Sequence, residues 1–556
     1  MGGVFVKLSK KMACLINSIL IFLLFLSACS SGPVDKQEVM QEEKQEEKHE
    51  EKQEEKPLPI TLDLYINYSW WPKARTEWGN DLVSKEITRI TGVSFNIDKA
   101  ANNDESMSRL NMMLSTGEYP DIVMTDDGVI PKRLIQKGMF MPLSDLIDKY
   151  GQEIIKNIGL EYLEEYCTET DDEVYGLPNG IVFEAQTPQA GHGVLLLKGL
   201  YERMGSPPLD TTEDLYNYLR NVKESGLKTK NGEPYIPVLF DWPTQDLAPS
   251  FGVRFFTIDG GSYVYGSDKR LQQVIRVPAM RDIFHFTSKL FREELMDQQW
   301  LLQDEGTGLK KMLAGRFSMY FASNAFGIID EYNDKIENES GDSYILVKTP
   351  LSPGLKDVKY NLVTKRPWNR IYITTQCKDP VRAMEFFNWE SSETGQYVSR
   401  IGPEGVVWNT GPDGKPIVSE KFAEKLSTSR DDALSEIGFL KWCYMQNNKF
   451  TENAISALLT PEERIERKAR ADIILNSMWY APELEILSID PSSKTGISNT
   501  KLNTYFGKMD RKLYMAQDDI SFEQMYNSAL PEMEILGLSN VEYELNRQIA
   551  ENLKNR

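Results

Sequence analysis

The chain has 556 residues, with 83 acidic and 63 basic side chains and a net charge of −20. With no basic stripe to neutralise phosphates, that balance excludes a nucleic-acid partner. The length exceeds what one compact core accommodates and predicts two or three domains.

The N-terminus combines Lys7, Lys10 and Lys11 with the apolar run "CLINSILIFLLFLSAC". That run falls short of the ~20 residues a transmembrane helix needs. It ends in Leu26, Ser27, Ala28 and Cys29, which resembles a bacterial lipobox. The resemblance implies a signal peptide over 1–28, cleavage before Cys29, and a lipid anchor (palmitate among its acyl chains) beginning on the Cys29 thiol. Residues 29–57 follow as an acidic, low-complexity tether containing "QEEKQEEKHEEKQEEK". Its period of four stacks like charges at i,i+4, which disfavours a stable helix, and it carries almost nothing apolar to pack. After cleavage Cys167, Cys377 and Cys443 remain, too few and too widely spaced for a disulfide framework.

From residue 58 the pattern alternates strand and helix. "ITLDLYI" puts Ile60, Leu62, Leu64 and Ile66 on one face of a strand. "NDLVSKEITRITG" predicts a helix stopped by Gly92, "VSFNI" a second strand, and "DESMSRLNMMLSTG" a helix stopped by Gly117. "YPDIVMTDDG" predicts a short buried strand, and "PKRLIQKG" a helix started by its proline. This βαβα order points to an α/β layer with a largely parallel sheet. Ligands of such sheets sit beyond the carboxyl ends of the strands. Trp70, Trp71, Asp126 and Asp127 all follow predicted strands at that edge. Trp70 and Trp71 are adjacent and point apart, so they compete for one outward-facing position, whereas Trp78 begins the turn into a helix and reads as core.

Further on, "TTEDLYNYLRNVKESG" predicts a helix launched by Thr211 or Thr212, and "GTGLKKMLAGRFSMYF" reads as helix, Gly315 stop, then strand. "DPVRAMEFFNWESSETG" predicts another helix started by its proline. The last third is helix-rich, with Thr460, Pro461 and Glu463 forming a cap, N1 and N3 set, and "NVEYELNRQIAENLKNR" closing as an amphipathic helix.

The chain carries no HExxH, GxSxG, GxxxxGK[ST] or CxxC, and of its three histidines neither His192 nor His285 sits in a catalytic motif. The adjacent carboxylates Asp126 with Asp127, or Asp171 with Asp172, are badly placed to flank one glycosidic bond. No catalytic residue, cofactor or metal site is expected. Aromatic–polar clusters suit a sugar better, because rings stack on C–H faces and planar polar groups bind hydroxyls. They are "YSWWP", "DWPTQD" with Asp241, Trp242 and Asp246, "RPWNRIY" with Trp368 and Arg370, and "GVVWN" with Trp408.

The segments "SWWPKARTEWGNDLVSKEITRITGVSF", "LNMMLSTGEYPDIVMTDDG", "GMFMPLSDLIDKYG", "VYGLPNG", "LLLKGLYERMGSPPLDTTEDLYNYL", "LAGRFSMYFAS", "DPVRAMEFFNW" and "IGPEGVVW" resemble, in order, bacterial extracellular solute-binding proteins of family 1. These are lipoproteins that deliver carbohydrates to ABC importers, and the resemblance covers most of 60–410. It implies an α/β, two-lobed periplasmic-binding-protein type II fold with a hinge between the lobes. The expected division is 58–180 for the first N-lobe segment, 181–365 for the C-lobe, 366–430 for the N-lobe return, and 431–556 as a helix-rich region of unassigned lobe. It also implies a carbohydrate ligand, ABC permease subunits as partners, a monomer, and a lipid-anchored position on the extracellular side of the cell membrane. Some large relatives carry an EF-hand-like calcium loop where this chain has "KTKNGEPYIPV"; Lys228 and Lys230 stand where oxygen ligands are needed and only Asn231 and Glu233 are plausible donors, so no calcium site is expected. A peptide-binding protein on the same fold, a surface polysaccharide-degrading enzyme and a sensory lipoprotein without a transporter are the alternative readings.

Overall fold

A computed structural model describes residues 58–68, 77–100, 103–126, 129–169, 171–181, 191–301 and 305–555. Within them sixteen strands form five sheets. In chain order they are β1 (Ile60–Ile66), β2 (Val93–Lys99), β3 (Ile122–Thr125), β4 (Gly176–Asn179), β5 (Gly193–Leu197), β6 (Ile236–Phe240), β7 (Phe255–Ile258) and β8 (Gly261–Tyr265). They continue with β9 (Leu271–Gln273), β10 (Phe317–Ala322), β11 (Tyr344–Val347), β12 (Asn361–Val363), β13 (Asn369–Ile373), β14 (Trp408–Thr410), β15 (Pro416–Val418) and β16 (Met478–Tyr480).

The first large sheet has the order β2-β1-β3-β13-β4. β1 runs parallel to β2 and β3, and β13 is antiparallel to both of its neighbours. Both faces of this sheet are buried, as a sheet covered by helices requires. Leu62, Leu64, Ile66, Met124, Ile371 and Ile373 pack on one side with Val83, Ile87, Phe386 and Phe387 from helices. Tyr65, Val123 and Tyr372 pack on the other with Leu110, Leu134 and Phe140. This is the N-lobe. The C-lobe is built on the order β11-β5-β10-β6, whose Val194, Leu196, Val238, Met319 and Phe321 share a core with helical Leu215, Leu219, Ile283 and Phe284.

Local signals explain most helices. Asp81 caps Leu82–Thr91 by accepting from the Ser84 N–H, and Gly92 ends it at φ 69°. Thr211 with Asp214, and Thr460 with Glu463, form reciprocal capping boxes. The helix expected to start at Pro131 starts at Val129 instead. Proline fits there because first-turn N–H groups have no intrahelical acceptor to lose. Trp78 packs edge-on against Phe95 and Trp442 and donates its indole N–H to Thr88 Oγ1 at 2.9 Å.

Among the described residues the chain passes between the two cores three times: after Ile181, between β12 and β13, and between Leu458 and Ala471. Residues up to Leu458 thus complete the N-lobe core, whereas Leu502, Leu513, Phe522, Leu545 and Ile549 of the last helices complete the C-lobe core. Asn361 ties the crossings together. Its Oδ1 accepts the His192 N–H at 2.8 Å, and its Nδ2 donates to the His192 carbonyl at 3.1 Å and to Ser477 Oγ at 2.7 Å. β12 pairs with β16 in the same region. No helix of the described residues is long and apolar enough to cross a membrane.

Candidate functional site

The crossings fix which edges face each other. The chain leaves the N-lobe at the carboxyl end of β4, enters the C-lobe at the start of β5, and returns into the start of β13. The carboxyl ends of β1, β3 and β4 therefore lie at the N-lobe edge toward the crossings. The register Gly193↔Ala322, with β6 parallel to β10, places the carboxyl ends of β6 and β10 at the matching C-lobe edge.

On the N-lobe edge a polar chain orders the end of β3. Asn67 accepts from the Tyr65 hydroxyl at 3.0 Å and donates to Thr125 Oγ1 at 3.1 Å, which donates to Asp126 Oδ1 at 3.1 Å. Asp126 is exposed. On the same edge Trp368 is 44% exposed and stacks on Tyr68, with centroids 5.3 Å apart at 28°. Its backbone N–H donates to the Asn179 carbonyl at 2.9 Å. Gly180 is required here: it has φ 73°, and a Cβ on it would lie 2.9 Å from Trp368 Cβ. Burial, reinforced by the charge of Asp126, pushes the Tyr68 hydroxyl well above its usual pKa.

On the C-lobe edge Trp242 follows β6 and is 58% exposed. The short helix Pro243–Leu247 returns Asp246 to accept the Trp242 backbone N–H at 2.7 Å. Asp241 accepts the Ser323 N–H at 2.8 Å and its hydroxyl at 2.6 Å, and also the Tyr320 hydroxyl. Buried Asp246 stands 3.3 Å from His192 Nδ1, and His192 Nε2 contacts Gln245 Nε2 at 2.8 Å. Burial first, then repulsion from Asp241, raises the Asp246 pKa to about 6 against the opposing pull of His192.

Of the residues singled out in the sequence, Asp126, Trp242 and Trp368 reach these edges with exposed side chains. Trp70, Trp71, Asp127 and Cys29 lie outside the described residues. Two expectations are corrected. Trp408 is 2% exposed, donates its indole N–H to the Gly402 carbonyl at 2.7 Å and packs edge-on against Tyr397, so it is N-lobe core. Arg370 is buried, pairing with Glu169 at 3.2 Å and with the Tyr166 carbonyl. An arginine committed to those two partners braces the N-lobe from within and offers no free fork to a ligand. His192 was missed, because its partner Asp246 is distant in sequence and only "GHG" before the strand marks it. The turn expected to lack calcium holds a Thr229 N–H to Glu233 carbonyl bond of 2.9 Å, and the Glu233 carboxylate meets Arg316 at 3.3 Å. Among the described residues no group of three His, Cys, Asp or Glu side chains is arranged to hold a metal.

This strand order, three crossings and facing edges define a two-lobed solute-binding-protein fold of type II. No family model matches the chain. A fructooligosaccharide ABC transporter substrate-binding protein, FusA of Streptococcus pneumoniae serotype 4, is 21% identical over 483 residues, 80% of this chain and 86% of that one. Solved structures share the fold. The alginate-binding protein AlgQ2, without calcium ion, superposes with TM-score 0.65 at 19% identity, over 89% of this chain and 98% of that one. S. pneumoniae FusA in complex with kestose gives 0.65 at 16%, over 89% and 100%. The N-glycan transport protein NgtS of S. pneumoniae in complex with Man5GlcNAc gives 0.56 at 15%, over 90% and 99%.

Proposed function

We propose that this protein is the substrate-binding component of an ABC importer, taking an oligosaccharide or modified sugar between its lobes. The observation that carries this reading is the pair of exposed indoles, Trp368 on the N-lobe edge and Trp242 on the C-lobe edge, with Asp126 and Asp246 ordered on the same two edges. An aromatic face on each wall stacks on the C–H surface of a sugar ring, and the neighbouring polar groups take its hydroxyls. The similarity to FusA supports the same reading. Asp126 and Asp127, Trp242 and Trp368 are the contact residues in this account, with Trp70 and Trp71 sharing one further position. The protein works as a monomeric carrier and not as an enzyme, held at the outer side of the cell membrane by a lipid on Cys29 and the acidic tether. Closure over the ligand presents the closed form to the permease, and each contact favours closure only by its differential affinity for the closed state.

Intrinsic tryptophan fluorescence and thermal-shift titration against a panel of oligosaccharides and peptides test the proposal. Saturable quenching with a carbohydrate and unchanged ligand on recovery support it. Saturation by peptides alone, or appearance of a cleaved product, would replace it.

A further inference from the structure

A small cavity in the C-lobe is lined by His192, Gly193, Asp246, Phe321, Thr349 and Tyr360, and Asp246 ties it to the backbone of Trp242. It has room for one water-sized group. Two polar atoms at this cavity are buried without a hydrogen bond, Asp246 Oδ1 and His192 Nδ1. They face each other at 3.3 Å, out of line for a hydrogen bond. The remaining atoms of the pair are engaged: Asp246 Oδ2 accepts the Trp242 N–H, and His192 Nε2 meets the amide nitrogen of Gln245. That amide nitrogen is a donor, so Nε2 accepts and Nδ1 carries the ring proton. The group that completes the pair must accept from Nδ1–H and donate to Asp246 Oδ1. A hydroxyl does both. A carboxylate only accepts, and it would meet Asp246 with Asp241 adjacent.

We propose that this cavity takes one hydroxyl of an uncharged sugar residue stacked on Trp242, and that Asp246 with His192 thereby selects neutral oligosaccharides over uronates. This rests on the oligosaccharide-binding reading above. The selectivity follows from geometry. A neutral ring seats its hydroxyl between two waiting partners. A uronate instead brings a second negative charge to a buried carboxylate that has no Lys or Arg ion-pair partner among the described residues.

Calorimetric titration of the purified protein tests it, with kestose, maltotriose and mannotriose as neutral probes and trigalacturonate and trimannuronate as acidic ones. At least one neutral trisaccharide is expected to bind roughly 100-fold more tightly than either uronate. Asp246→Asn keeps the shape and removes the charge, so neutral affinity falls about tenfold while uronate affinity rises. His192→Ala is expected to lower neutral affinity similarly without favouring the uronate. Asp413→Asn, on the turn between β14 and β15, is the equal-charge control and leaves both unchanged. A uronate bound as tightly as the best neutral sugar overturns the inference and leaves the sugar-binding reading standing. So does neutral affinity within about twofold of the parent in both folded variants. Absence of binding by every sugar overturns the binding reading and this inference together.

Discussion

Asp246 shows how a buried carboxylate on the C-lobe edge loads its cost onto stability. Its pKa rises from an ordinary 3.8 to about 6 because burial penalises the carboxylate and Asp241 repels it, with His192 opposing. The folded state therefore binds the proton more tightly than the unfolded chain. Stability from this group is fully present below pH ~4 and is lost as pH rises through about 6, a change of roughly 3 kcal/mol. Asp510, buried against Tyr514 and Thr244, also sits at about 6 because of its burial, and contributes a second, similar fall. Urea unfolding between pH 4 and 7 should show Asp246→Asn removing one of these two contributions, so the variant gains on the parent toward neutral pH. An unchanged slope would contradict the burial account. The two tryptophans make the complementary contrast. Trp408→Ala should cost ~3–5 kcal/mol, since it empties a core site and strands the Gly402 carbonyl. Trp242→Ala, half out in solvent, should cost under ~1 kcal/mol in the same unfolding assay and show its effect in sugar affinity instead.

At the scale of elements, legibility followed the range of the signal. Helix ends were readable because Thr211, Thr460, Gly92 and Gly315 act within one turn of themselves. The insertion of β13 between β3 and β4 joins segments far apart in the chain, and no periodicity announces it; the family resemblance implied a return to the N-lobe near residue 366 but no strand order. Side-chain direction was the least readable. "GVVWN" and "DWPTQD" look alike as aromatic–polar clusters, but Trp408 turns inward because Gly402 and Tyr397 receive it, whereas Trp242 stays out because its backbone is held by Asp246. The junction of Gly180 and Trp368 is a local feature with a testable consequence. Gly180→Ala adds a Cβ at 2.9 Å from Trp368 Cβ and at a positive φ. It should displace the Trp368 ring from Tyr68, altering tryptophan fluorescence and costing about 1–3 kcal/mol, with sugar affinity reduced in parallel.

The described residues form two lobes joined by three crossings, and a few polar contacts bridge them outside the crossings. Lys132, on the helix Val129–Gln136 that follows the N-lobe edge, donates to Ser488 Oγ at 2.6 Å, and Ser488 sits between the C-lobe core residues Leu487 and Ile489. The Tyr166 hydroxyl donates to Glu485 at 2.8 Å. On the helix Ala325–Ser340, Asp334 pairs with Arg430 of the N-lobe at 3.0 Å. These contacts exist only while the lobes hold this relative position, so they favour one member of an open–closed pair. The apparent dissociation constant of a carrier is its intrinsic value divided by the fraction already competent to bind. Lys132→Ala removes one exposed bridge worth about 0.5 kcal/mol and touches neither indole. On the proposal that this arrangement is the closed, binding-competent one, it should therefore weaken sugar binding by at most about two- to threefold. In small-angle scattering the unliganded variant should show a larger radius of gyration than the parent, and saturating sugar should bring both to the same value. If the liganded radii still differ, Lys132 shapes the closed form itself. If neither protein contracts on binding, the lobes do not close on the ligand, and the bridging contacts serve only to hold a rigid molecule together.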